Sequence, residues 1–282
     1  MSVLLVGCGG DRAPSSSQRT LSQTTPATAP STRPAASTDV ATTSLPVVDQ
    51  SAVLAYFLLH EQPYAVGRAV ATADASAAVA ALLSGPTTAE NAAGLVTLIP
   101  AGTKLLGVKT SATETVVDLS HEFGSGGGSL SVAGRAAQMV FTITQFPGVG
   151  SVRFSLDGKP ITELAGEGYA VDGLSCASFA DMTPVILLEH PSSGEKVTQP
   201  IRIAGRSNTF EATVYYEVLG ADGHKLINGF VMATSGTGTW GTFDAVLSPL
   251  PTGTTGVITV RVFDRSSQDG APVAVTEVRV LL

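Results

Sequence analysis

The chain has 282 residues, of which 44% are hydrophobic and 14% are charged, and its net charge is −7. The length suits two domains, the apolar fraction excludes a chain that is disordered throughout, and the acidic balance argues against nucleic acid as a partner. The two cysteines, Cys8 and Cys176, exclude a disulfide framework and a cysteine-rich metal site. No apolar run reaches the roughly 18 residues that a membrane-spanning helix needs.

The chain begins with a short apolar stretch that ends in small residues before Cys8. The sequence Leu5-Val6-Gly7-Cys8 resembles the lipobox of bacterial lipoproteins, which implies that the Cys8 thiol carries a lipid and that the preceding peptide is removed. Several acyl chains give stable membrane anchoring. No Lys or Arg precedes Cys8 and the apolar segment is short for a signal peptide, which a start upstream of Met1 would explain. The alternative is a buried cysteine near an apolar N-terminus.

The next segment is rich in Ser, Thr, Pro and Ala and has no hydrophobic periodicity up to residue 46. Such a composition cannot bury enough apolar area to offset the entropy of ordering. Residues 1–46 are therefore predicted to be a signal remnant and a disordered tether, about 30–37 Å long as a coil. This tether would hold the folded part away from a membrane surface.

Residues 47–183 alternate strand and helix signals in the order β-α-β-β-α-β. Asp74 and the capping-box pair Thr87 and Glu90 mark helix starts, and Ser131 is predicted to open a second long helix. Strands are predicted over 53–59, 104–109, 115–119 and 152–156, the last ending at a hairpin turn at Asp157-Gly158. The order indicates an α+β domain with its helices on one face of a small sheet.

Several separated motifs in this segment resemble the GerMN domain of sporulation and spore-germination proteins. The motifs lie at 82–90, 94–103, 116–120, 138–158 and 157–160. The resemblance implies an extracytoplasmic α+β module similar to the ring-building motifs of envelope assemblies, and it brings no catalytic residues. GerMN modules also occur in lipoproteins of bacteria that make no spores.

Residues 184–282 read as seven short strands separated by turn signals. The strands are predicted over 185–189, 201–206, 212–219, 225–232, 239–246, 256–263 and 273–282. This pattern is typical of an all-β immunoglobulin-like sandwich. The cysteine pair of antibody domains is missing, so the sandwich must depend on packing alone.

This segment resembles the Gmad2 module, an immunoglobulin-like domain often found after GerMN. The residues that carry the resemblance lie at 189–194, 200–205, 210–211, 240, 263–266 and 269–270. Finding the two modules in this order supports both assignments.

Candidate chemistry is sparse along the chain. The histidines lie apart, at 60, 121, 190 and 224, so neither a metal nor a cofactor is expected. Cys176 is either a nucleophile or an inert thiol. The Ser193–Lys196 spacing matches an S-x-x-K motif, but it lies between predicted strands and lacks the accompanying motifs.

Two further clusters have a functional and a structural interpretation. Asp118 and Glu122 flank His121 and would bind a cation or transfer protons, or else simply begin a solvated loop. Trp240, together with Tyr215 and Tyr216, would form a platform for stacking sugars, or else Trp240 belongs to the sandwich core.

The sequence thus predicts a non-enzymatic protein that is exported and lipid-anchored through Cys8 to the outer face of the cytoplasmic membrane. Its predicted function is protein–protein assembly in the cell envelope, with an unidentified envelope protein as partner. The family resemblance relates this function to sporulation or germination. The alternative is a module that binds peptidoglycan or another wall glycan, with Trp240 contacting the ligand. A wall hydrolase is disfavoured because no spacing of paired carboxylates or of a Ser/His/Asp set is evident.

Overall fold

The computed structural model of the protein describes residues 51–111, 113–164 and 168–282. The predicted lipid-attachment residue Cys8 and the predicted tether at 1–46 lie outside this part. Among the described helices, none combines the length and the apolar character needed to cross a bilayer.

An antiparallel hairpin opens the described chain. Its strands are β1 (Ser51–Leu59) and β2 (Gln62–Val70), paired from Ser51 with Val70 to Leu59 with Gln62. His60 and Glu61 form the two-residue turn, both at positive φ, as tight hairpins require. The sequence predicted β1 from its apolar run. It did not predict β2, because Pro63 and Gly67 are unusual within a strand.

Three α-helices follow in the first module, and capping residues explain two of their starts. Helix α1 (Ala75–Leu83) is capped by Asp74, whose carboxylate accepts a hydrogen bond from the Ala77 N–H at 2.8 Å. Helix α2 (Thr88–Ala92) begins at the predicted capping box. Helix α3 (Ser129–Thr144) begins after Gly128, two residues before the predicted start at Ser131.

A four-stranded sheet forms the other layer of the first module, in the order β3-β4-β5-β6. Its strands β4 and β5 are parallel, because α3 provides the crossover between them. Two short strands and a 3-10 helix (Cys176–Met182) complete the module. The strands are β3 (Leu105–Thr110), β4 (Glu114–Leu119), β5 (Ser151–Leu156), β6 (Lys159–Ile161), β7 (Glu163–Leu164) and β8 (Tyr169–Ala170).

Polar side chains of α3 pair with the backbone of β1. The Gln138 amide donates to the Tyr56 carbonyl at 3.1 Å and accepts from the Leu98 N–H at 2.8 Å. The Thr142 hydroxyl accepts from the Tyr56 N–H at 3.1 Å, and Gln145 bonds both the N–H and the carbonyl of Leu54. On this edge β1 also pairs with Val96 through a backbone bridge at Leu58, and the side-chain bonds satisfy the backbone of Leu54 and Tyr56 and fix Tyr56 against the helix.

The second module is a sandwich of seven strands in two antiparallel sheets, with the orders β13-β10-β9 and β12-β11-β14-β15. The predicted immunoglobulin-like architecture is therefore confirmed. The strands are β9 (Ile186–His190), β10 (Arg202–Ser207), β11 (Thr213–Leu219), β12 (Lys225–Met232), β13 (Gly241–Val246), β14 (Val257–Arg265) and β15 (Pro272–Leu281).

Strand β9 contributes to the cores of both modules. Ile186 and Leu188 pack between the two sheets of the sandwich, whereas Leu187 points the opposite way and packs with the core of the first module. Strand β2 lies against β9, and a Cβ added at Gly67 would overlap the Ser192 hydroxyl. The close approach that Gly67 permits is part of the packing that joins the modules into one unit.

The fold yields a prediction for Gln138, which is fully buried. The substitution Gln138→Leu keeps a side chain of similar volume, but it leaves the Leu98 N–H and the Tyr56 carbonyl without hydrogen-bond partners. The free energy of unfolding should fall by about 2–4 kcal/mol. Chemical denaturation of the purified protein measures this loss.

The exposed Gln268 offers the matched control, and Gln268→Leu should change the stability by less than about 0.5 kcal/mol. Equal stabilities of the two variants would contradict the role assigned to Gln138.

Candidate functional site

The predicted acidic cluster near His121 is engaged in local structure. The Asp118 carboxylate accepts a hydrogen bond from the Gly158 N–H at 3.0 Å and so supports the β5–β6 turn. His121 is exposed and lies 3.2 Å from the Asp157 carboxylate and 3.5 Å from that of Glu122. Within residues 51–111, 113–164 and 168–282, no group of three or more potential ligands could hold a metal ion.

The S-x-x-K residues lie in the connection between β9 and β10, outside any helix. Glu195 occupies this connection with its own contacts, because its carboxylate accepts from the Ser192 N–H at 2.8 Å and from the Ser192 hydroxyl at 3.0 Å. The motif requires its serine and lysine at the start of a helix. The local structure therefore differs from the one in which that chemistry occurs.

A partly buried polar cluster lies where the two modules meet. The Glu189 carboxylate, on β9, accepts a hydrogen bond from the Tyr56 hydroxyl at 2.7 Å and pairs with the Arg206 guanidinium at 3.2 Å. Burial, reinforced by the negative charge of Glu189, raises the pKa of Tyr56 well above its ordinary value. The tyrosine is therefore a hydrogen-bond donor at neutral pH, and Glu189 receives donors from both modules.

Arg206 also faces a cavity of ≈ 200 Å³ at the same junction. Its walls come from α3 and the 3-10 helix of the first module, and from β10 and the connection before β13 in the second. The lining residues are Phe141, Cys176, Ala177, Thr183, Arg206 and Trp240. The sequence drew attention to Trp240 and Cys176 separately, and the fold brings them to one place.

The cavity is largely apolar, and Arg206 is the one cationic side chain that lines it. Burial raises the pKa of the Cys176 thiol, which lies 3.0 Å from the Thr144 hydroxyl, so the thiol is protonated at neutral pH. Burial lowers the pKa of Arg206, but the ionisable groups around it, Glu189 among them, outweigh burial, and the net shift is upward. A protonated thiol is a poor nucleophile.

Sequence reasoning did not find Phe141 or Arg206. In the sequence, Phe141 is one of many apolar residues in a predicted helix, and nothing distinguishes it from the others. Arg206 is a charged residue on β10, and the residues before and after it in that strand are buried. A charge at such a position is unusual, and it is the one signal for this site that the sequence offered.

The outer face of the four-stranded sheet carries a second candidate surface, which we call the aromatic face and define as Tyr215, Phe230, Met232, Phe263 and Arg265. The Tyr215 ring stacks on Phe263 with centroids 5.8 Å apart and lies 6.3 Å from Phe230. The Arg265 guanidinium lies 4.3 Å from the Tyr215 centroid. Phe230 is 62% exposed and Met232 is 57% exposed.

The predicted platform of Trp240, Tyr215 and Tyr216 is not formed. Successive residues of a strand point to opposite faces, so Tyr216 is buried in the sandwich core while Tyr215 lies on the aromatic face. Trp240 lines the junction cavity instead. Contact of Trp240 with a ligand stays a prediction.

The two edges of the four-stranded sheet differ. The end of β15 is covered by residues 194–197, through backbone bonds from Gly194 to Arg279 at 2.7 Å and from Val197 to Leu281 at 2.8 Å. Strand β12, which carries Phe230 and Met232, has β11 as its sheet neighbour, and in the described part of the chain its other edge is unpaired. An unpaired edge beside exposed apolar side chains is a typical site of association.

Comparison with known proteins assigns each of the two modules to a family. Residues 54–162 match the family model Germane, described as sporulation and spore germination, and residues 185–271 match Gmad2, the immunoglobulin-like domain of bacterial spore germination. Neither is a known enzyme family. No curated protein gives a significant match.

Three solved structures are similar over parts of the chain. The tandem GerMN domains of the sporulation protein GerM from Bacillus subtilis are 14% identical, with a TM-score of 0.39, and the alignment covers 66% of this chain and 62% of that one. A putative lipoprotein from Clostridium perfringens is 17% identical, with a TM-score of 0.35 and coverage of 49% and 95%. The first GerMN domain of the same GerM is 20% identical, with a TM-score of 0.36 and coverage of 44% and 97%.

The two family matches follow one another in the order that the sequence motifs predicted. The chain therefore carries a GerMN-like domain of the sporulation and spore-germination family at 54–162, followed by a Gmad2 immunoglobulin-like domain at 185–271.

Proposed function

We propose that this protein is a non-enzymatic component of the bacterial cell envelope that binds a partner protein during sporulation or germination. The observation that carries the proposal is the aromatic face, where exposed Phe230 and Met232 lie beside the unpaired edge of β12. Aromatic residues, methionine and arginine are the residues enriched at protein interfaces.

The aromatic face is organised in a way that suits binding. Tyr215 contacts both Phe263 and the Arg265 guanidinium, so its ring is already ordered before a partner arrives. Ordering before association lowers the entropic cost of binding. A partner segment in extended conformation would add to β12 through backbone hydrogen bonds while its side chains cover Phe230 and Met232.

The perturbed groups at the module junction also favour binding over catalysis. A thiol with a raised pKa and a buried tyrosine that donates to a carboxylate do not form an acid–base pair poised near neutral pH. Glu189 is occupied by Tyr56 and Arg206.

Membrane anchoring through Cys8 is the second part of the proposal. It is supported by the lipobox-like sequence at residues 5–8 and by the Ser/Thr/Pro/Ala run that follows. Acyl chains would confine the modules to the outer face of the cytoplasmic membrane and raise their effective concentration for a partner located there.

Anchoring predicts that the Cys8→Ser protein leaves the membrane fraction, because the thiol that accepts the lipid is gone. Wild type should sediment with membranes, and Cys8→Ser should be in the soluble fraction after cell fractionation and immunoblotting. Cys176→Ser is the matched control and should stay with the membranes. An equal distribution of wild type and Cys8→Ser would refute the anchor.

The aromatic face predicts a loss of partner binding when Phe230 and Met232 are both replaced by serine. Binding should weaken about tenfold or more, since apolar side chains at the centre of an interface carry much of the affinity. Crosslinking in cells, followed by mass spectrometry of captured proteins, measures the loss.

Val246→Ser is the control, because Val246 is also 62% exposed but lies on β13 in the other sheet. The same captured proteins in the same amounts from both variants would rule out the aromatic face as the binding surface. Retention of the purified protein on cell wall, abolished by Trp240→Ala, would instead support the glycan alternative.

A further inference from the structure

The cavity between the modules has the features of a ligand site that is distinct from the aromatic face. We propose that it binds a small organic acid, with an apolar ring or short branched chain against Phe141 and Trp240 and its carboxylate on Arg206. This proposal is independent of partner binding at the aromatic face, and either can fail alone.

The walls of the cavity select an apolar body. Trp240 supplies accessible aromatic surface and Ala177 supplies a methyl group, while the Phe141 ring, which is 1% exposed, lies in the wall beside them. A cavity of roughly 150 Å³ is known to hold benzene in an apolar protein core. The ≈ 200 Å³ found here therefore suits one ring, or an acyl chain of similar size, together with a carboxylate.

Arg206 is positioned to take the carboxylate. Its Nε donates to Glu189 at 3.2 Å, and in the described structure this is its one hydrogen bond to an oxygen. A guanidinium has five N–H donors, and its two Nη groups are suited to a carboxylate. The Arg206 side chain is 26% exposed and lines the cavity.

The other polar groups of the cavity do not compete for this role. The Thr183 hydroxyl already donates to the Phe179 carbonyl at 2.8 Å. Burial raises the pKa of the Cys176 thiol, so the Glu189 carboxylate is the one negative charge that the described structure places against Arg206 at neutral pH.

The same features disfavour other classes of ligand. A sugar requires many hydrogen-bonding groups, and this site offers few. A cation would be repelled by Arg206. A phosphate group is usually held by several donors or cations, and Arg206 is the one cationic side chain that lines the cavity.

Binding at this position would couple the two modules. Phe141, Cys176, Ala177 and Thr183 belong to the first module, whereas Arg206 and Trp240 belong to the second. A ligand that contacts both sides stabilises the packed arrangement by RT ln(1 + L/Kd), where L is the free ligand concentration. The thermal unfolding midpoint should therefore rise with ligand concentration.

Trp240 makes the experiment direct, because it is the one tryptophan of the full chain. Phenylacetate is the probe, and phenylacetamide is its neutral counterpart of nearly equal size. Titration of the purified full chain with phenylacetate should change the tryptophan emission saturably, with a Kd of about 1 mM or lower. Phenylacetamide should bind at least about tenfold more weakly, because it lacks the charge that pairs with Arg206.

Two exposed alanines of the 3-10 helix provide matched variants. Ala177 lines the cavity and Ala180 does not, although both are exposed. Ala177→Leu should reduce binding at least about tenfold by filling the cavity, and Ala180→Leu should leave it unchanged. Titration of N-acetyltryptophanamide corrects for collisional quenching by the probe.

The thiol supplies an independent readout. In Cys8→Ser protein, Cys176 is the remaining cysteine, and saturating phenylacetate should slow its labelling by a thiol reagent several-fold. A linear emission change without saturation, equal binding of phenylacetate and phenylacetamide, or equal binding by Ala177→Leu and Ala180→Leu would each overturn the proposal.

Discussion

The Glu189 carboxylate fixes how the two modules meet. It accepts the Tyr56 hydroxyl from the first module and pairs with Arg206 of the second, in a place largely closed to water. Removing one partner from a buried charge costs far more than the intact group contributes to stability. Because another arrangement of the modules would separate Glu189 from Tyr56, these bonds disfavour it. Because Arg206 also lies 5.9 Å from the centroid of the Phe141 ring, the shape of the junction cavity depends on the same bonds.

Local signals predicted most of the elements of the fold. The alternation of Val214, Tyr216 and Val218 identified β11, and Asp74 located the start of α1. The sequence did not predict β2, because its stability comes from pairing with β1 and packing on β9 rather than from strand propensity. The start of α3 was missed by two residues, since Gly128 precedes the helix without a side-chain cap.

The candidate sites could be predicted only in part, because both depend on contacts between distant residues. Trp240 and Cys176 stood out as single residues, but their meeting requires the modules to pack as they do. Tyr215 stood out as an aromatic residue, yet its stacking depends on the register that places it opposite Phe263 and Phe230. Sequence periodicity indicates which face a residue occupies, and it does not indicate which residues lie beside it.

The two sheets of the sandwich have different surroundings, and this difference explains why binding is assigned to one of them. The three-stranded sheet presents Leu187, Glu189 and Arg206 to the first module, so its outer face is used within the protein. The four-stranded sheet keeps Phe230 and Met232 exposed on its outer face. On the first face, Leu187 is explained by the core that it joins. On the second face the described chain supplies no such cover, which is why we propose that a partner covers Phe230 and Met232.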